Sequence, residues 1–267
     1  MEGNFTIALM MTLLAGLSTG IGAVIAVLSK RTNKSLLCVG LGLSAGVMIY
    51  ISFVELLSQA RVSLVETWGP VGELYAVLAF FGGILATLLI DLAIPETENP
   101  HEIHGVEEMG TGEDHSMEGL RRIGLMSCLI ITLHNFPEGM VTFLSALSSP
   151  TTALPIMLAI MIHNIPEGIS VSVLIYYATG SRSRALLLGV LSGLAEPIGA
   201  LVGYLFLQPY LTPALLHTTN AVIAGVMIYI SLDELLPAAE RYGKHHQAIL
   251  GVISGMAVMA GEPLLFL

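Results

Sequence analysis

Charge is scarce in this 267-residue chain: Asp, Glu, Lys and Arg together make up 11% of it, while 54% is hydrophobic. An ordinary soluble domain is about 25% charged. With a mean hydropathy of +0.81, the composition excludes a soluble globular domain and implies an all-α, polytopic membrane protein. Cysteine is nearly absent. The two present, Cys38 and Cys128, lie in or at the edge of apolar runs and form no CxxC pair. No disulfide framework follows from them, and they read as buried apolar filler. No stretch interleaves basic and aromatic residues, so nothing points to nucleic acid. No GxxxxGK[ST] occurs, which argues against a nucleotide partner. No HExxH occurs either. The N-terminal apolar stretch follows Glu2 and runs to Leu28 with its cations behind it, unlike a signal peptide. The net charge of −10 says little about the surface, because 8 of the 20 acids fall within 95–119.

What the chain has is apolar runs of membrane-spanning length. Eight are expected, at about 5–28, 36–58, 71–93, 122–147, 153–178, 185–207, 214–237 and 247–266. With eight spans, Lys30, Arg31, Lys34, Arg121, Arg122, Arg182, Arg184, Arg241 and Lys244 share one side, and only Arg61 takes the other. By the positive-inside rule that side is cytoplasmic and both termini are extracytoplasmic. The whole of 1–267 reads as one transmembrane domain. Within it, the acidic, His-containing connection over 94–120 is a cytoplasmic loop. It reads as a solvated linker, with weak metal capture as the sharper alternative.

Two repeats stand out. Ala45–Ala60 reads AGVMIYISFVELLSQA and Ala224–Ala239 reads AGVMIYISLDELLPAA, identical at twelve of sixteen positions. The copies fall on spans 2 and 7, which cross the membrane in opposite directions. That is the mark of an inverted-topology repeat, with spans 1–3 and 6–8 as the halves and spans 4 and 5 between them. The second repeat is short and polar. His134-Asn135-Phe136-Pro137-Glu138-Gly139 returns 29 residues later as His163-Asn164-Ile165-Pro166-Glu167-Gly168. Histidine and glutamate inside lipid-length segments are costly and mark an ion pathway or functional site. At i and i+4, His134 shares a helix face with Glu138, and His163 with Glu167; Asn135 and Asn164 reach the same glutamates at i+3. Pro137 and Pro166 each leave one carbonyl, of Leu133 and Ile162, without its helical partner, as befits backbone that lines a cavity or is buried in protein. The two motif helices run antiparallel, so the copies can meet.

Imidazole mixed with carboxylate suits Zn²⁺, Fe²⁺, Mn²⁺ or Co²⁺ and argues against a soft Cu⁺ site. Two ions fit if Glu138 and Glu167 bridge. Glu196, mid-span and followed by proline, is a further ligand candidate from span 6. Glu55 and Glu234, matched in the long repeat, and Asp233 beside the second, read as snorkelling acids or as secondary entrance and exit ligands.

The paired HNFPEG and HNIPEG motifs, the SGLAE segment around Glu196, the eight spans and the long connection before span 4 resemble the ZIP (Zrt/Irt-like) family, most closely its bacterial branch. The resemblance covers essentially the whole chain. It implies an uptake carrier moving divalent metals into the cytoplasm, with a 3+2+3 helix arrangement and a binuclear site between spans 4, 5 and 6. One ion would be held by His134, Glu138, His163 and Glu167. The other would be held by Asn135, Asn164, Glu196 and the shared Glu138 and Glu167. Some members carry Gln-Asp where this chain has His163-Asn164; the His-Asn form resembles members of broad metal range, Cd²⁺ included. The resemblance also implies a homodimer whose metal helices move against a static pair. No cofactor is expected: Zn²⁺, Fe²⁺ and Mn²⁺ are transported substrates, and the partners are those ions and the lipid bilayer. Two other readings stay open, a metal-selective channel and an intramembrane metalloenzyme using metal-activated water.

Overall fold

Helix is the only regular structure among the described residues, as apolar surroundings require, because a helix satisfies its own backbone hydrogen bonds. The computed structural model describes residues 4–29, 34–92, 135–207, 210 and 212–261. Helix α1 is Phe5–Leu28, α2 is Lys34–Trp68 and α3 is Val71–Leu92. Residues 135–148 form α4, and Pro150–Thr179 forms α5, which continues through Pro155 and Pro166. Helix α6 comprises Arg182–Gly193 and Ala195–Leu207, interrupted at Leu194. Helix α7 is Pro213–Arg241 and α8 is His245–Gly261.

Six of these are long and apolar enough to cross a bilayer: α1, α2, α3, α5, α6 and α7. The chain is a multi-pass membrane protein. Within the described residues α4 and α8 are shorter, and the expected start of span 4, the 94–120 connection, Cys128 and the last six residues lie outside the described residues.

The helix ends follow from local chemistry. Thr212 caps α7, its hydroxyl accepting from the Leu215 N–H at 3.1 Å, with Pro213 in the first turn where no N–H is needed. Gly69 (φ 64°) ends α2 and Gly180 (φ 63°) ends α5, both in the left-handed region that glycine enters without a Cβ penalty. One boundary differs from the sequence expectation. Span 2 was expected to stop near 58, but α2 runs 35 residues to Trp68. Nothing between Ser58 and Trp68 breaks a helix, so the polar residues that end the apolar run do not end the helix. A helix of that length is about 50 Å long against about 30 Å of hydrocarbon, so its end projects or the helix tilts. Arg61 on this extension pairs with Glu73 at the start of α3, Nε to Oε1 at 2.7 Å.

Packing follows a regular correspondence. Helix α2 packs along α8, and α3 along α7; α1 packs on α5 and on α6. The long repeat sets matching contacts: a Cβ on Gly46 would collide with the Val252 carbonyl of α8, and one on the equivalent Gly225 with the Phe80 carbonyl of α3. Both copies then pass into a π-helical stretch, Ile51–Leu57 in α2 and Ser231–Leu235 in α7. The outer surface is apolar. On α3 only Gly72, Ala76, Phe80 and Gly83 are buried, a stripe at spacings of four, four and three, while Leu74, Leu78, Leu85 and Leu89 face outward. An exposed apolar surface of this extent fits contact with lipid chains.

Candidate metal site

Two polar helices meet in the middle of the apolar bundle. Asn135 and Glu138 lie on α4, and His163, Asn164 and Glu167 on α5; all five are 0–2% exposed. Helix α6 adds Glu196, also 0% exposed. His134 lies outside the described residues.

Small residues make the approach possible. A Cβ on Gly139 would collide with the Glu196 carbonyl, so the α4 backbone lies directly against α6. A Cβ on Gly168 would collide with the Thr19 carbonyl, setting α5 against α1 in the same way. Helices α1 and α6 touch each other through Gly16 and Gly193, where a Cβ on either would meet the other's carbonyl oxygen. The Pro166 ring lies 3.2 Å from where a Gly40 Cβ would stand on α2.

The two motif copies interlock. His163 Nε2 lies 3.0 Å from Glu138 Oε1, joining the imidazole of one copy to the carboxylate of the other. Ligand atoms of Glu138, His163 and Glu167 all lie within 4.8 Å of one another, the one such group among the described residues. A divalent ion at ~2.0–2.2 Å from nitrogen and oxygen ligands would fit that spacing.

The asparagines are fixed by their amide nitrogens. Asn135 Nδ2 donates to the Ser192 carbonyl of α6 at 2.9 Å. Asn164 Nδ2 donates to the Ala15 carbonyl of α1 at 3.0 Å and to Glu196 Oε1 at 2.5 Å. With the nitrogens committed, the carbonyl oxygens are the remaining acceptors. Neither Asn135 Oδ1 nor Asn164 Oδ1 has a hydrogen-bond partner among the described residues. A buried amide oxygen left without a donor is costly, and a cation would satisfy it. Ser44 of α2 steadies α5 from behind, its hydroxyl donating to the His163 carbonyl at 3.0 Å.

The electrostatic balance points the same way. Glu138, Glu167 and Glu196 bring three carboxylates into a region from which water is excluded. Such charges are tolerated when paired or metal-bound. Among the described residues no lysine or arginine is buried; His163 lies against Glu138, and the Asn164 amide donates to Glu196.

The secondary candidates lie elsewhere. Glu55 sits on the α2 π-helical stretch and accepts from Gln59 at 3.0 Å; Asp233 and Glu234 sit on the matching stretch of α7. None joins the central group. Asp91, which the sequence reading passed over, is tied to the same helix α7: Tyr229, four residues before Asp233, donates to its Oδ2 at 3.0 Å. Its signal was available, an acid in the last turn of an apolar span. The backbone acceptors Ala15 and Ser192, which hold the asparagines, carry no side-chain signature at all.

A family model described as ZIP Zinc transporter matches residues 91–261. The chain is 51% identical over 267 residues to a protein named zinc transporter ZupT from Chlorobium chlorochromatii (strain CaD3), covering 100% of both chains. It is 52% identical over 268 residues to the protein of that name from Streptococcus mutans serotype c, again covering 100% of both. It is 51% identical over 274 residues to the one from Nitratidesulfovibrio vulgaris, covering 100% of this chain and 99% of that one.

Proposed function

The chain belongs to the ZIP family of zinc transporters, and from that premise we propose that it imports Zn²⁺, together with Fe²⁺, Mn²⁺, Co²⁺ and Cd²⁺, through a two-ion site on α4, α5 and α6. The observation that carries this is the buried group of Glu138, His163 and Glu167, whose ligand atoms lie within 4.8 Å of one another, with buried Glu196 and two buried amide oxygens on the same three helices. The first ion takes His134, Glu138, His163 and Glu167. The second takes Asn135, Asn164 and Glu196 and shares the two motif glutamates.

The cycle follows from the packing. Every described ligand is 0–2% exposed, so the described site faces neither side freely. An ion enters and leaves when α4 and α5 shift against their neighbours. The glycine contacts of α5 with α1 and of α4 with α6 present flat, small-residue tracks for such a shift. A buried site that opens by turns favours a carrier over an open channel. Carboxylate and imidazole ligands release metal as they take up protons, which links unloading to the proton activity on the receiving side.

The wider frame is eight spans in a 3+2+3 arrangement, the outer threes forming an inverted repeat. The matched contacts of Gly46 and Gly225, and the matched π-helical stretches, support it. The cation distribution supports an inner-membrane orientation with both termini extracytoplasmic and the 94–120 loop in the cytoplasm. Glu55 would serve the entrance, and Asp233 and Glu234, with Asp91, the exit. A homodimer is the proposed assembly.

The test is uptake by purified protein in proteoliposomes with Zn²⁺ outside and no other substrate. Saturable accumulation that disappears in Glu138→Ala and Glu167→Ala supports the reading. Accumulation at the unmodified rate in either variant overturns it.

A further inference from the structure

The α1 segment at 15–23, AGLSTGIGA, aligns with 192–200 of α6, SGLAEPIGA, with five of nine positions identical. The contacts obey this alignment pair by pair. Gly16 and Gly193 face each other's carbonyls. Ala15 O accepts from Asn164 Nδ2 as Ser192 O accepts from Asn135 Nδ2. A Cβ on Gly22 would collide with the Ile165 carbonyl, as one on Gly199 would with the Phe136 carbonyl, at equivalent motif positions. Gly168 lies against the Thr19 backbone and Gly139 against the Glu196 backbone. Thr19 therefore stands where Glu196 stands, on the opposite wall.

The Thr19 side chain is the second observation. It is 0% exposed, and its Oγ1 has no hydrogen-bond partner among the described residues. A threonine inside a helix ordinarily returns its hydroxyl to the carbonyl four residues back. Thr12 does so to Ala8 at 2.9 Å, and Thr142 to Glu138 at 3.1 Å. For Thr19 that acceptor would be Ala15 O, which already takes Asn164 Nδ2 and the Ser18 hydroxyl at 2.6 Å. The hydroxyl is left over at the crossing of α1 and α6. Its Cβ lies 2.9 Å from where a Gly193 Cβ would stand, as the Glu196 Cβ lies 3.4 Å from where a Gly16 Cβ would stand.

We propose that Thr19 is a further ion-binding residue, its hydroxyl giving the transported metal a neutral oxygen from α1 opposite the anionic oxygen of Glu196, and that it sets preference among metals. This rests on the two-ion reading above. A neutral hard oxygen matters more to Mn²⁺, which favours oxygen ligands, than to Zn²⁺, which is well held by imidazole and carboxylate. The mirror position thus keeps the site one negative charge short of full symmetry.

The experiment measures Zn²⁺, Mn²⁺ and Cd²⁺ binding by calorimetry, and their uptake in proteoliposomes, for Thr19→Val, Thr19→Ser and Thr19→Cys of the full chain. Thr19→Val keeps the shape and removes the hydroxyl. It is expected to weaken Mn²⁺ about tenfold, on the scale of one lost supporting polar group at a metal site, and Zn²⁺ less, so the Mn²⁺-to-Zn²⁺ ratio falls; Thr19→Ser restores the ratio. Thr19→Cys, a soft ligand in the same place, raises preference for Cd²⁺ over Mn²⁺, and reads the same question if the valine variant does not fold. Unchanged ratios in the folded variants overturn the proposal, as does a serine variant shifted as far as the valine one, which would mean packing alone. Glu138→Ala/Glu167→Ala is run alongside. If that variant still binds Zn²⁺ normally, the two-ion site is wrong; if it loses binding while Thr19→Val keeps the ratio, only the role of Thr19 falls.

Discussion

His163 of α5 and Glu138 of α4 meet at 3.0 Å with neither side chain exposed. The contact crosses between the two motif copies, so neither helix carries a complete site alone. In the proposed site each copy would contribute half a coordination sphere, on helices that Gly139 and Gly168 set directly against α6 and α1.

Removing one bridging carboxylate should disable the site without unfolding the protein. Glu138→Ala and Glu167→Ala each relieve repulsion between neighbouring buried carboxylates, which offsets a small cavity and, for Glu138, the lost His163 contact. Zn²⁺ uptake in proteoliposomes is expected to fall to the protein-free background, with normal amounts of each variant in the membrane fraction. Loss of the protein from the membrane would instead assign these residues to assembly.

Asn135→Leu, Asn164→Leu and Glu196→Gln should separate the two ions. Each leaves Glu138, His163 and Glu167 in place. Equilibrium dialysis with Zn²⁺ is expected to show two ions per wild-type chain and one in these variants, with transport slowed rather than abolished. Two ions bound in all three variants would argue against a second site built from these residues.

Adding bulk at the contact glycines should damage the fold itself. A Cβ on Gly139 or Gly168 would run into backbone, which cannot turn aside as a side chain can. Overpacking of this kind costs about 1–3 kcal/mol or more. Gly139→Val and Gly168→Val are expected to lower the detergent unfolding temperature. Gly82→Val, where nothing lies within 4 Å of the added carbon, should leave it unchanged.

The proposed substrate range predicts mutual competition. Fe²⁺, Mn²⁺, Co²⁺ and Cd²⁺ should each reduce radiolabelled Zn²⁺ uptake by raising its apparent KM. Mg²⁺ should not, because it demands rigid all-oxygen geometry and sheds water reluctantly. Competition by Mg²⁺ at equal concentration would show a site less selective than its imidazole implies.

Orientation is open to a direct check. Reporter fusions in the Arg182–Arg184 connection should be active on the cytoplasmic side, and fusions at either terminus only outside it. The reverse pattern would invert the proposed direction of the entrance and exit acids.

The sequence determined a good deal by itself. Apolar runs of lipid length require helices, because no other local structure satisfies the backbone without water. Phe5–Leu28 and the start of Pro213–Arg241 are legible from that alone, the latter's end being expected at 237, as is the cost of placing His163, Glu138, Glu167 and Glu196 inside such runs. The end of α2 was less legible. Hydropathy marks where a helix leaves the membrane, whereas Gly69 marks where the helix stops, and here the two lie roughly ten residues apart.

Only the tertiary structure decided which groups meet. Spacing along one helix places His163 with Glu167, but the close partner of His163 is Glu138, 25 residues earlier. The asparagine amides are oriented by the Ala15 and Ser192 carbonyls, which any residue type would supply. Thr19 looks like ordinary helix filler until its natural acceptor proves to be taken by Asn164. The physical reason is common to all three. Helical periodicity fixes the face a side chain presents, but the close approach of backbones at small residues fixes what that face touches, and that contact forms only when the helices assemble.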